Sequence, residues 1–415
     1  MGNIFFAHSG GVTTTVNATL SGVISGYLDH RSTFSNLYIG ENGIVGALTE
    51  QLIDISQYSP QEIQSIYSTP GAAFGSCRYK LKDPKLQSRE FERILEVFKR
   101  HDIRYFIYNG GNDSQDTTLK LSNYFKSHDL DIKCFGIPKT IDNDLYGTDN
   151  SPGFGSAAKY LITSIMEAGV DLRSMSSTST KVFILETMGR HTGWLAASTG
   201  LADAPFNPDI ILMPESAFNQ SLFLKQVQNA VNDRGYCIIS TAEGIQLTEG
   251  ERHSTGLVDA FGHQQLGGVA SQIANLIQTE LKLKTHYAVV DYLQRSARHL
   301  ASKTDLEQAY VLGQKAIQAC VENQLCDSMF AIKRVSESPY QWEVEHVPLS
   351  VVANQEKIVP DHFISKCGMN ITQACREYLQ PLIEGEAWLT YESGRPKYMA
   401  LEKRMVSKKS PAYEI

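Results

Sequence analysis

The sequence predicts an α/β protein of two doubly wound domains whose mainly parallel sheets face an active-site cleft. Three observations carry that prediction. A short apolar run, a polar glycine turn and a helical pattern follow one another, as in Ile4–Ala7, Ser9-Gly10-Gly11 and Thr13–Leu28. The same theme returns at Val182–Leu185, which leads into Met188-Gly189-Arg190. Finally, 415 residues at 42% hydrophobic and 20% charged suffice for a large core, ordinarily divided between two domains.

Each element follows from its pattern. Ile4–Ala7 reads as a strand and Thr13–Leu28 as the helix behind it. Phe91, Ile94, Leu95 and Phe98 recur at helical spacing, so Ser88–Arg100 is expected to be an amphipathic helix. Ile103–Tyr108 is the next strand, Asp116–Phe125 a helix and Ile132–Ile137 a further strand. Strands and helices that alternate so regularly predict a parallel sheet covered on both faces. Beyond it, Lys159–Val170 reads as helix, Val182–Leu185, Ile210–Met213 and Tyr236–Thr241 as strands, and Leu306–Ala319 as helix. Turns after the strands of two facing sheets would line the cleft between them.

Composition narrows the function classes. A net charge of −7 argues against a broad basic surface for nucleic acid or an anionic membrane. No window approaches the roughly 18 apolar residues of a membrane span, and no secretory signal is visible at the N-terminus. Seven cysteines are scattered without metal-ligand spacing, which predicts free thiols and a cytoplasmic location.

The polar turns carry the chemistry. In His8-Ser9-Gly10-Gly11, paired glycines let backbone N–H groups approach an anion ahead of a helix N-terminus. A tight strand-to-helix turn is the bland alternative. Asn109-Gly110-Gly111-Asn112-Asp113-Ser114 repeats the arrangement, but the Asp113 carboxylate would repel phosphate unless it merely caps the helix or Mg²⁺ bridges the two. Pro138-Lys139-Thr140-Ile141-Asp142-Asn143-Asp144 places a cation, a hydroxyl, two carboxylates and an amide directly after a strand. Phosphoryl transfer needs a cation for the phosphoryl oxygens and a carboxylate for the attacking hydroxyl's proton. An Asx-rich turn accounts for the same residues about equally well. Met188-Gly189-Arg190-His191 and Ala242-Glu243-Gly244 suit a sugar phosphate, with Arg78, Tyr292 and Arg295 adding two cations and a phenol.

In chain order these segments resemble the phosphofructokinase family: Ser9-Gly10-Gly11, Gly75-Ser76-Cys77-Arg78, Gly110–Ser114, Pro138–Asp144, Met188-Gly189-Arg190, Ala242-Glu243-Gly244 and Tyr292-Leu293-Gln294-Arg295. The resemblance is dense over residues 1–300. It implies Asp142 as the general base toward the sugar 1-hydroxyl, with Arg78 stabilising charge on the transferred phosphoryl group. Gly10, Gly11 and Ser114 would cradle the donor. Thr140, Ile141, Asp144, Met188, Gly189, Arg190, Glu243, Tyr292 and Arg295 would bind fructose 6-phosphate, with Lys181 and His286 at positions where the family places sugar-phosphate cations. Some of those cations come from a neighbouring subunit, so a homodimer or homotetramer is implied. Asn112 stands where ATP users carry a metal-binding aspartate, and it would serve Mg²⁺ through an amide oxygen.

The donor follows from two positions. ATP users of the family carry glycine where this chain has Asp113 and Lys139. A carboxylate at 113 would oppose a nucleotide α-phosphate, while Lys139 can hold the compact anion of pyrophosphate. The resemblance also implies a donor domain of residues 1–151 plus about 295–358, and a sugar-phosphate domain of about 152–294 plus 359–415. The rival expectations are an ATP-dependent enzyme, a pyrophosphate enzyme preferring sedoheptulose 7-phosphate, and a non-catalytic subunit that senses sugar phosphate.

Overall fold

The computed structural model describes residues 2–247, 254–258, 264–323 and 325–415. Its first half contains β1 (Asn3–His8), α1 (Val16–Asp29), β2 (Leu37–Gly40), α2 (Ile44–Thr49), β3 (Leu52–Asp54), α3 (Pro60–Ser68), α4 (Ser88–Arg100), β4 (Ile103–Gly110), α5 (Asn112–Ser127) and β5 (Lys133–Pro138). The second contains α6 (Phe154–Met175), β6 (Val182–Thr187), α7 (Trp194–Ser198), β7 (Ile210–Leu212), α8 (Gln220–Arg234), β8 (Cys237–Ala242), β9 (Ser254–Val258), β10 (Gln264–Leu266), α9 (Val269–Leu281) and β11 (Thr285–Val289). Then follow α10 (Leu293–Ser296), α11 (Lys303–Glu322), β12 (Ser328–Glu337) and β13 (Tyr340–Pro348).

The first sheet has the order β13-β12-β5-β4-β1-β2-β3. Its centre is parallel, while β2–β3 and β12–β13 are antiparallel pairs at its edges. The second sheet, β11-β6-β8-β7, is parallel throughout. Alternation along β1 explains how both faces of the first sheet are filled. Ile4 and Phe6 pack with Leu20, Val23 and Ile24 of α1 and Leu312 and Ile317 of α11. Phe5 and Ala7 point the other way, to Phe91, Ile94 and Phe98 of α4 and Leu121 of α5. Burying each such side chain stabilises by about 1.5–3 kcal/mol. Helices α1 and α11 cross closely because Gly22 and Gly313 sit at the contact. A Cβ on Gly22 would lie 1.9 Å from the Tyr310 carbonyl oxygen.

The strand-to-helix alternation and the two-sheet architecture match the expectation, with shifted boundaries. Helix α5 begins at Asn112 rather than Asp116, because Asn112 and Asp113 read locally as turn residues although they form the first helical turn. Strands β4, β6 and β8 run one or more residues further than their apolar cores, ending in Asn109-Gly110, Glu186-Thr187 and Ala242. The chain after Val359 packs into the second core through Phe363, Ile371, Leu379 and Leu382. It then crosses back. The Val406 N–H donates to Leu52 O (2.9 Å), and the Lys409 and Ser410 amides donate to the buried Glu50 carboxylate (2.6 and 2.9 Å). The end of the chain therefore lies against the first sheet, not with the second as expected for 359–415. Its scattered apolar residues Leu401, Val406 and Tyr413 carry no periodicity from which that return could be read.

Candidate active site

Strand β1 ends at His8, and the chain turns at Gly10, whose φ of +74° favours glycine. The Gly10 N–H donates to Cys77 O (2.8 Å) and the Ser76 hydroxyl to Gly10 O (2.8 Å), which seats the Gly75–Arg78 segment against the turn. From the end of β5, Lys139 reaches back to donate to Gly11 O (2.5 Å). A Cβ on Gly11 would lie 2.9 Å from the Arg295 guanidinium and 3.7 Å from that of Arg78. Three cations thus converge on Gly10-Gly11. Lys139 is 3% exposed, and its ammonium is pushed down to about 7 by burial, then by the charges of Arg295 and Arg78. Beside it His8 is held down to about 3 by burial and by Lys139, so its ring is neutral at physiological pH. Such crowding of like charge in one enclosed turn is the electrostatic form of an anion site. Arg295, expected among the sugar ligands, therefore borders the Gly10-Gly11 turn. Its guanidinium lies 3.8 Å from the centre of the exposed Tyr292 ring.

At the second turn, Asp113 in the first turn of α5 forms an ion pair with Lys80 (2.7 Å). This resolves the conflict seen in the sequence, since the carboxylate is partnered two residues downstream of Arg78 rather than left facing an anion alone. Sequence reasoning missed Lys80, and its spacing from Arg78 was the available signal. Ser114 is 4% exposed, with its hydroxyl packed where a Cβ on Gly110 would fall.

The third turn carries the two carboxylates. The Asp142 N–H donates to Thr140 Oγ1 (3.1 Å), and Thr140 bridges to Gly153 at the start of α6. Burial raises the Asp142 carboxyl well above the usual range, Asp144 and Glu243 push it further, and Lys139 and Arg190 pull it back. Asp144 is likewise raised by burial and by Glu356. Ile141 turns away into the second core. A raised carboxylate beside a hydroxyl nucleophile is a stronger base than one in water.

The strand ends of the second sheet supply the opposite wall. After β6, the Met188 N–H donates to the buried Gln294 Oε1 (3.2 Å), and Gly189 takes a φ of +131°. The Glu243 N–H donates to Thr187 O (2.9 Å) and Gly244 N–H to Gly189 O (3.1 Å), clamping the turns after β6 and β8 together. Glu243 is raised to about 7 by burial, against the opposing pull of Arg190. Both groups also act on Asp142, so the turns after β6 and β8 and the carboxylate turn face one another. Lys181 and His286 lie elsewhere. Lys181 precedes the first residue of β6, whereas Met188 follows its last, a separation of roughly 20 Å along an extended strand. Its ammonium donates to Ser176 O. His286 is exposed on the edge strand β11, opposite Phe183.

Among the described residues no cluster of three His, Cys, Asp or Glu side chains could hold a metal by itself. Asn112 Oδ1 is nevertheless a buried acceptor without a hydrogen-bond partner. One protein oxygen, with the remaining sites taken by substrate phosphate and water, suits Mg²⁺, which gives up its waters reluctantly.

Comparison with known proteins places this geometry. The phosphofructokinase family model matches residues 3–320. The chain is 49% identical, over 100% of its length and 99% of the relative's, to the pyrophosphate–fructose 6-phosphate 1-phosphotransferase of Halomonas elongata. Crystal structures of pyrophosphate-dependent phosphofructokinases from Nitrosospira multiformis (TM-score 0.92, 47% identity) and Marinobacter aquaeolei (TM-score 0.90, 46% identity) each superpose over 100% of both chains. With likeness over the whole length of both chains, this chain belongs to the pyrophosphate-dependent branch of the phosphofructokinase family.

Proposed function

We propose that this chain transfers a phosphoryl group from pyrophosphate to the 1-hydroxyl of fructose 6-phosphate, reversibly, giving fructose 1,6-bisphosphate and phosphate. One observation carries the reading: Lys139, Arg78 and Arg295 crowd a glycine turn beside a buried carboxylate pair. The anion that relieves this crowding must be compact, because Asp113 and its partner Lys80 occupy the neighbouring turn. Selectivity against a nucleotide then comes from exclusion as much as attraction.

In this reading Gly10, Gly11, Ser114 and the three cations hold pyrophosphate, while Arg190, Glu243 and the Met188-Gly189 backbone hold the sugar phosphate. Asp142 takes the 1-hydroxyl proton as that oxygen attacks phosphorus, a contribution of roughly 10²–10⁴ in rate. Lys139 and Arg78 stabilise charge on the transferring group and on the departing phosphate. Thr140 and Asp144 fix the turn around the base. Asn112 Oδ1, a buried acceptor without a partner, would help to hold Mg²⁺, which would supply charge neutralisation when bound. A second copy of the chain would present Lys181 and His286 to this cleft, which makes a homodimer or homotetramer the active form. Residues 1–151 with about 295–358 and the returning end of the chain act as the donor domain, and about 152–294 with the stretch from 359 through Leu382 as the sugar domain. All seven cysteines are free thiols, in keeping with the cytoplasm.

The test is phosphorylation of fructose 6-phosphate with Mg²⁺, offering pyrophosphate and ATP side by side, then sedoheptulose 7-phosphate as acceptor. Turnover with pyrophosphate alone is expected. Turnover with ATP alone would overturn the roles of Asp113 and Lys139, and faster turnover of the seven-carbon sugar would reassign the acceptor.

A further inference from the structure

Residues 356–359 lie beyond the stretch matched by the family model, which ends at 320, yet they touch both walls of the cleft. Toward the carboxylate turn, the Lys357 N–H donates to Asp144 O (2.7 Å), and Leu145 bridges to Glu356. The Lys357 ammonium reaches under the same turn and donates to Asn143 Oδ1 (3.2 Å), Thr148 O (3.2 Å) and Asp149 O (2.6 Å). Asn143, directly after the base Asp142, has a φ of +52°, which an asparagine tolerates best when its side chain is engaged. Here that side chain also accepts from Ser151 N–H (3.0 Å). Toward the sugar wall, Trp194 Nε1–H donates to Lys357 O (3.0 Å), and His191 pairs with Glu356 (2.8 Å). The Glu215 carboxylate accepts from both Gly193 N–H and Val359 N–H (3.0 Å each).

We infer that residues 356–359 form a clasp that sets the base-bearing turn in register with the Met188–Trp194 turn, and that Lys357 is its positioning residue. The hydrogen bonds of the ammonium run to Asn143, Thr148 and Asp149. It ties down the three acceptors that define the turn, and its backbone joins that turn to Trp194. A misplacement of about 1 Å between base and hydroxyl can cost about 100-fold in rate, whereas the Gly10-Gly11 turn is held from elsewhere, by Ser76, Cys77 and Lys139. The inference rests on the turnover assigned above.

The experiment compares wild type, Lys357→Ala and Lys357→Met in the pyrophosphate assay, with circular dichroism to establish folding. Wild-type activity tests the assignment of function, and the variants test the clasp. Both variants are expected to fold, to lose about 100-fold in kcat, and to keep KM for pyrophosphate within about threefold. The Ala variant leaves a space facing three acceptors, and adding ethylammonium is expected to restore kcat at least about tenfold, whereas tetramethylammonium, which has no N–H, is not. A kcat within about threefold of wild type would overturn the inference. Absence of amine rescue, or loss of folding in both variants, would equally overturn it by reducing Lys357 to a structural role.

Discussion

Replacing Lys139 by methionine separates what the fold wants from what the reaction needs. Methionine keeps an unbranched chain of similar length but removes the ammonium. In the free protein that ammonium is held at about 7 instead of 10.5 by burial and by Arg295 and Arg78, an electrostatic cost on the order of 4 kcal/mol at pH 7 and below. Against this stands the bond to Gly11 O, whose loss leaves a carbonyl unsatisfied at about 1–3 kcal/mol. The variant is therefore expected to gain about 1–3 kcal/mol of stability. Its folded-state pKa is lowered, so the native protein binds fewer protons than the unfolded chain between pH 7 and 10.5, and wild-type stability rises over that window. The variant's advantage is thus largest below pH 7 and fades toward pH 10. Thermal unfolding at pH 6, 7.5 and 9 reads it directly. Kinetically, loss of a preorganised cation costs about 10²–10³-fold in kcat/KM for pyrophosphate. A variant less stable than wild type at pH 6, or less than tenfold impaired, would refute the reading of Lys139 as a strained cation awaiting its anion.

Asp142→Ser should abolish most turnover while isothermal titration still detects fructose 6-phosphate binding; near-normal turnover would remove Asp142 from the base role. Because its carboxyl is raised in the folded state, the stability that group allows is present at low pH and lost as pH rises through the folded value. The serine variant should accordingly outlast wild type on heating at pH 8 but not at pH 4. The double change Asp113→Gly with Lys139→Gly should weaken pyrophosphate use and admit ATP; unchanged pyrophosphate kinetics would defeat the donor argument. Lys80→Ala frees the Asp113 carboxylate and should raise KM for pyrophosphate about two- to fivefold, less at high salt, since the pair is partly exposed.

The sequence disclosed the strands because each carries a buried apolar run, and it disclosed the polar turns because their residue types are costly without a task. Partners across the fold were hidden. Lys80 and Asp113 are 33 residues apart, and nothing local marks them as a pair. Lys357 was invisible for a similar reason, since its three acceptors are an amide side chain and two backbone carbonyls, which leave no charge pattern. The reverse case is Arg295: its motif was legible, but its place beside Gly11 follows only from how the two halves meet. Strands β2 and β3 and the hairpin β12–β13 passed unread because short or half-exposed edge strands give weak periodicity.

The return of the chain to its first sheet governs when that sheet can exist. Strand β12 pairs with β5 through Ser328 and Phe135, and α11 covers the face that α1 alone cannot fill. A nascent chain emerging N-terminus first therefore exposes one edge of β5 and half of an apolar face until some 330 residues have been made, about 20–70 seconds at ordinary synthesis rates. The strands of the second sheet all fall within residues 182–289, but its core also awaits Phe363, Ile371, Leu379 and Leu382. Neither half thus completes its core until most of the chain has been made, and the first half, begun earliest, waits longest and depends most on protection during synthesis.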